Sequence, residues 1–142
     1  MPSRTPSTAA LVDTSVAVPL LVADHPAHGP VIRAARGAQW GLAGHAAFET
    51  FSVLTRLPAP ARRGPQAVQR LLADNFPATR FLDERAHADL LARLADLGIA
   101  GGAVYDAVVG ATAVHHDLPL LTRDRRAVDT YRTLDVRFEL LD

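Results

Sequence analysis

The sequence predicts an α/β domain with a central, mainly parallel five-stranded sheet flanked by helices. Short apolar runs of strand length recur at 9–12 (AALV), 39–43 (QWGLA), 80–82 (RFL), 119–122 (PLLT) and 136–141 (VRFELL), each between turn-prone flanks. Longer segments with helical spacing separate most of them, and strands alternating with helices favour parallel pairing. The 142 residues fit one domain, large enough to bury roughly two thirds of its unfolded surface without disulfides or a structural metal.

Taken in order, residues 1–7 are rich in Pro, Ser and Thr and read as a disordered tail ahead of a domain at 8–142. After the first strand, helices are expected at 15–23 and 27–36, broken around Pro26. A helix at 45–56 follows the second strand and is stopped by Pro58; PAPARRGP is then a loop before a helix at 65–74. In DERAHADLLARLADLG, Asp83 reads as an N-cap; Ala88, Leu91, Leu94 and Leu97 or their neighbours form the apolar face, and Gly98 ends the helix. Gly101 and Gly102 lead into the helix of VYDAVVGATAV, where Ala107, Gly110, Ala111 and Val114 make a smooth stripe that admits a close neighbour. Trp40, inside a predicted strand, is assigned to the core.

Composition removes several chemistries. Cysteine is absent, which excludes thiol catalysis, thiolate metal sites and disulfides. All fifteen basic residues are Arg, so no mechanism can use a lysine, and fifteen acids balance them to no net charge. No apolar run has the length of a signal peptide core or a membrane span, so a cytoplasmic protein without membrane contact is expected.

The acids are the informative residues. Asp13 directly follows the first strand and Asp124 stands two residues beyond the fourth. Parallel sheets bind ligands at the carboxyl ends of their strands, so both are expected at one edge, although Asp at either place also suits a helix cap. Glu49 belongs to the first turn or so of a helix opening on the same edge, and Phe48 and Phe51 imply that this helix is largely buried. Asp106 is close to the start of the small-residue helix, which belongs inside the domain. Like charges in one small region raise one another's pKa and need a compensating cation. Hard oxygen ligands without Cys, and with no His clearly in position, favour Mg²⁺, with Mn²⁺ possible, over Zn²⁺.

The segments that carry these acids, VDTS, FETFSVLTRL, YDAVVGATA and LLTRD followed by RRAVDTYRTLDVRFELL, occur in the order and approximate spacing of PIN-domain ribonucleases, and the chain particularly resembles VapC-type toxins of toxin–antitoxin pairs. The resemblance runs from about Ala9 to the C-terminus. It implies a catalytic, metal-binding set of Asp13, Glu49, Asp106 and Asp124, with auxiliary hydroxyls at Thr14 or Ser15 and at Thr122. Asp129 stays unassigned, because Arg126 stands where some relatives carry a further acid. The resemblance further implies a Mg²⁺-dependent endoribonuclease giving 5′-phosphate and 3′-hydroxyl ends, a VapB-type antitoxin that inserts a basic residue among the acids, and a homodimer.

Arg123, Arg125 and Arg126 adjoin Asp124 and are candidates for RNA phosphates; Arg62, Arg63 and Arg70 form a second group around the mid-chain loop. His25, His28, His115 and His116 lack zinc-site partners at a recognised spacing and read as surface or capping residues. Phosphoryl transfer through an aspartyl phosphate is the rival chemistry, but receiver domains need a lysine, and the related phosphatases need a second Asp where Ser15 stands. The remaining alternative is a PIN-like module that holds RNA or protein without cutting it, against which stand acids at all four positions.

Overall fold

A computed structural model describes residues 9–142, so the expected tail at 1–7 lies outside the described residues. The strands are β1 (Ala9–Val12), β2 (Gln39–Leu42), β3 (Leu120–Thr122) and β4 (Phe138–Leu140). Around them run α1 (Thr14–Leu21), α2 (His28–Ala35), α3 (His45–Thr55), α4 (Pro65–Asn75), α5 (Glu84–Arg93), α6 (Ala103–His115) and α7 (Val128–Thr133), the last preceded by a 3₁₀ turn at Arg125–Ala127. Among the described residues, no helix is long and apolar enough to cross a membrane.

The sheet is parallel throughout, in the order β2-β1-β3-β4. The chain leaves β1 toward β2 on one side and returns to β3 on the other, so the strand order reverses between β1 and β3. That reversal opens a crevice at the strands' carboxyl ends, and Asp13 and Asp124 follow the two strands that border it. Alternation along β1 divides the core. Leu11 joins Leu120, Ala107, Ala113 and Tyr131 on one face, and Ala10 and Val12 join Val16, Val31, Trp40 and Leu42 on the other.

The fifth strand expected at 80–82 is reduced to a single parallel bridge, Ala43 to Arg80. The physical reason lies one residue earlier, where the Leu42 N–H donates to the Thr79 hydroxyl at 2.9 Å, so a side chain takes a place that a ladder carbonyl would fill. Asp83 then starts α5 by accepting from the Ala86 N–H at 2.8 Å, which leaves no length for further pairing. Helix α5 itself ends at Arg93, short of Gly98, with Leu90 in the core and Leu91 exposed. Helix α7 was not expected from the sequence.

Helix α3 differs from the largely buried helix expected at this place. Its inward line is Ala46, Thr50 and Leu54, whereas Phe48 is 68 % exposed and Phe51 only half-buried. On α6 the inward face is Ala107, Gly110 and Ala113, and Val114 is exposed.

Close approach of α3 to α6 depends on Gly44, which precedes α3 with φ of +51° and ψ of −111°. A β-carbon there would stand 2.7 Å from the Thr112 hydroxyl of α6. Backbone strain at such angles costs a non-glycine residue on the order of 1–3 kcal/mol, and the contact with Thr112 adds to it. Gly44→Ala is therefore expected to lower stability by about 2–3 kcal/mol in urea unfolding; an unchanged midpoint would show that this approach is not needed.

Candidate active site

Asp13 ends β1 and serves as N-cap of α1, accepting from the Ser15 N–H at 3.1 Å. It does more than cap. The carboxylate is buried, and three hydroxyls also converge on it: Ser15 Oγ donates to Oδ1 at 2.5 Å, Thr122 Oγ1 to Oδ2 at 2.5 Å, and Tyr131 Oη to Oδ2 at 2.9 Å. Desolvation raises the Asp13 pKa, while these three hydroxyl bonds act to lower it.

The same hydroxyls reach the neighbouring loop. Ser15 Oγ accepts from the Arg123 N–H at 2.7 Å, and Thr122 Oγ1 accepts from the Asp124 N–H at 3.0 Å. Asp124 caps the following 3₁₀ turn by accepting from the Arg126 N–H at 3.0 Å, and its Oδ1 lies 3.5 Å from Arg126 Nε. Capping and site placement are thus compatible for both strand-end acids.

Glu49 lies in the second turn of α3, on an exposed position, and Asp106 in the first turn of α6, half-buried. All four acids line one cleft together with Thr14, Ser15, His25, Arg123, Arg126 and Tyr131. Asp106 registers the crowding. Its pKa rises from an ordinary 3.8 to about 6, first through burial and then through the charges of Asp124, Asp13 and Glu49, with Arg126 opposing.

The other candidates fall in different places. Thr14 lines the cleft, with its hydroxyl 3.5 Å from the Ala46 carbonyl and 3.4 Å from the Thr50 hydroxyl. Arg123 and Arg126 line the cleft as well, and Arg123 Nε is buried with no hydrogen-bond partner among the described residues. Arg125 turns to Asp142 at 3.4 Å. Arg62 donates to the Leu57 carbonyl at 2.8 Å, and neither it nor Arg63 nor Arg70 lines the cleft. Asp129 is exposed and faces Arg132 at 3.9 Å.

Two cleft residues escaped sequence reasoning. His25 lines the cleft while its Nδ1 accepts from the Ala27 N–H at 3.0 Å, a bond within the turn before α2, which itself has no side-chain cap. Tyr131 is wholly buried on the unexpected α7, and no local pattern connects it with an acid 118 positions earlier. Its ring packs where a β-carbon on Gly110 would come within 3.1 Å, which gives the small residue on α6 a specific purpose. Burial and the Asp13 charge raise the Tyr131 pKa, so it stays a protonated donor.

Among the described residues, no three acidic or imidazole groups stand close enough to form a ready-made metal cage. The donor chemistry nevertheless fits Mg²⁺, which keeps several of its waters and takes only one or two carboxylates directly. Hydroxyl donors are rotors, so those on Asp13 can turn a hydrogen away and leave its oxygens to an ion.

The PIN-domain profile matches residues 10–133. The chain belongs to the PIN-domain family. Within it, the chain is 48% identical over 125 residues to Ribonuclease VapC27 of Mycobacterium tuberculosis (strain ATCC 25618 / H37Rv), covering 88% of this chain and 91% of that protein. It is 47% identical over 134 residues to Ribonuclease VapC40 of Mycobacterium tuberculosis (strain CDC 1551 / Oshkosh), covering 91% and 96%. The PIN fold also matches the crystal structure of VapBC2 from Rickettsia felis bound to a DNA fragment from its promoter. That match has a TM-score of 0.68 at 12% identity and covers 95% of this chain and all of the other.

Two outcomes are expected of this PIN domain. Tyr131→Phe removes a donor to a buried carboxylate, so stability at neutral pH should fall by about 1–3 kcal/mol. Asp13 then becomes harder to ionise, and the acid limb of a pH–rate profile should move to higher pH; an unmoved limb would remove Tyr131 from the site. Asp106 has a raised pKa, so its contribution to metal-free stability is complete below 3.8 and lost as pH rises through about 6. Screening by water around this half-exposed group reduces the effect to about 1 kcal/mol. Asp106→Asn should gain that amount at neutral pH in EDTA and nothing in acid, as read by thermal melts at both pH values.

Proposed function

We propose that this PIN domain is a Mg²⁺-dependent endoribonuclease, with Mn²⁺ a possible substitute, and the growth-inhibiting toxin of a type II toxin–antitoxin pair. The observation that carries the reading is the convergence of Asp13, Glu49, Asp106 and Asp124, from four separate elements, on one cleft that also holds Arg123 and Arg126. Relatives named ribonucleases, nearly half identical over most of the chain, support the same chemistry.

Hydrolysis adds water across the P–O3′ bond of RNA and leaves 5′-phosphate and 3′-hydroxyl ends. A bound divalent ion supplies a water of lowered pKa and offsets the charge that grows on the phosphoryl oxygens. Asp13, Glu49, Asp106 and Asp124 are the residues that would hold the ion. Asp13 is pre-aimed by Ser15, Thr122 and Tyr131, so its orientation is fixed before substrate arrives. Asp106 must lose its proton to serve, so below a pH of about 6 the ion has to compete with that proton for the site. Arg123 and Arg126, which line the cleft, are the residues this reading assigns to the phosphate oxygens.

A VapB-type antitoxin is the partner this reading calls for, with a basic side chain entering the acidic cleft to silence it; the fold shared with VapBC2 of Rickettsia felis supports the pairing. A homodimer in the cytoplasm completes it.

Mixed structured RNAs incubated with the protein and Mg²⁺ should be cut, and EDTA, Asp13→Asn or Asp106→Asn should each reduce the rate by at least about a hundredfold. Cutting that survives chelation or either substitution overturns the metal-site mechanism. Retention of intact RNA by folded wild-type protein favours a binding module in its place.

A further inference from the structure

Beyond Glu49, Asp106, Asp124 and Arg126, the acidic cleft continues to a wall made by His45 and Tyr105. The two rings stack, with centroids 4.8 Å apart and 23° between their planes. The same two rings border a second cavity, whose lining also includes Phe48, Phe81, His87 and Val108. Phe48 and Phe81 meet there edge to face at 6.2 Å. Tyr105, Phe48 and Phe81 are each at least half exposed. Contiguous exposed apolar surface of this kind marks a place where something binds.

A nucleotide has the same division as this surface, an anionic phosphate joined to a flat, polarisable base that stacks on aromatic side chains. The helices fix the spacing between the two halves. His45 stands one turn before Glu49 on α3, and Tyr105 is the immediate neighbour of Asp106 on α6. Each ring is therefore carried by an element that also carries an acid of the cleft, and a base seated on the rings would hold its own phosphate at a set distance from the reacting centre.

We propose that the His45–Tyr105 pair is a stacking platform for an unpaired nucleobase flanking the scissile phosphate of RNA, with Phe48 and Phe81 bordering the space for that base. The inference rests on the ribonuclease reading and extends it to substrate choice. A base held in a duplex must give up its own stack and pairing to reach the platform, so cutting is directed to loops and single-stranded segments.

The test uses the full chain and hairpin RNAs with randomised loops, and a parallel set in which loop bases are replaced one at a time by the fluorescent analogue 2-aminopurine. With the first set, Tyr105→Leu should raise KM about 5- to 150-fold, the range expected for loss of one base–aromatic stack, with a smaller change in kcat. With the second, in the Asp13→Asn background where RNA stays intact, quenching should be concentrated at one loop position. It should be lost with Tyr105→Leu and restored by Tyr105→Trp. Wild-type cleavage with an unchanged KM for Tyr105→Leu and no position-specific quenching overturns the platform and leaves the ribonuclease intact. Absence of cleavage by wild type, with position-specific quenching retained, would fault the ribonuclease reading and keep the base site. A Tyr105→Leu variant that changes oligomeric state in light scattering while KM holds assigns the ring to a protein interface, and the platform falls.

Discussion

A buried carboxylate is tolerated only when its lone pairs are filled, and the four donors on Asp13 set much of the architecture around it. Those donors come from α1, β3 and α7, so the carboxylate joins elements that are far apart in the chain. The bonds run onward. Ser15 and Thr122 hold the backbone of Arg123 and Asp124, so the loop carrying the second strand-end acid is hung from the first. Polar networks of this kind are worth having only when complete, since a missing donor leaves a largely buried charge short of compensation.

The other half of the cleft is built by close approach. Helices α3 and α6 each bring one acid, and they can lie side by side because Gly44 offers no side chain to Thr112. The result is a graded site. Asp13 is deep and fully bonded, Asp106 is half-buried and reluctant to ionise, and Glu49 is open to solvent. Such a gradient suits a cation that exchanges some of its waters and keeps others.

How much of this could be read from the chain depends on the distance over which each rule operates. Asp13 and Asp124 were legible because parallel topology turns a position in sequence, just after a strand, into a position in space. Asp106 was legible from its small apolar neighbours, and Asp83 from ordinary capping, which Ala86 bears out. The strand at 80–82 was misread since nothing local shows that Thr79 would substitute its hydroxyl for a ladder carbonyl. Phe48 was placed inside on hydrophobicity alone, yet the inward line of α3 consists of small and medium residues four apart. Tyr131 could not be found at all, because its partner is 118 residues away and its helix is only six residues long.

Gly110 and Tyr131 deserve to be considered as one unit. A β-carbon on Gly110 would meet both the Tyr131 ring and Val136 at 3.1 and 3.0 Å, and that ring delivers the hydroxyl to Asp13. The two positions are therefore epistatic. A larger residue on α6 would press on Val136 and on the tyrosine ring together, and each would have to give by a few tenths of an ångström to admit it. An absent methyl group on α6 thus reaches the first acid through one aromatic ring, and a change at either position is felt at the other.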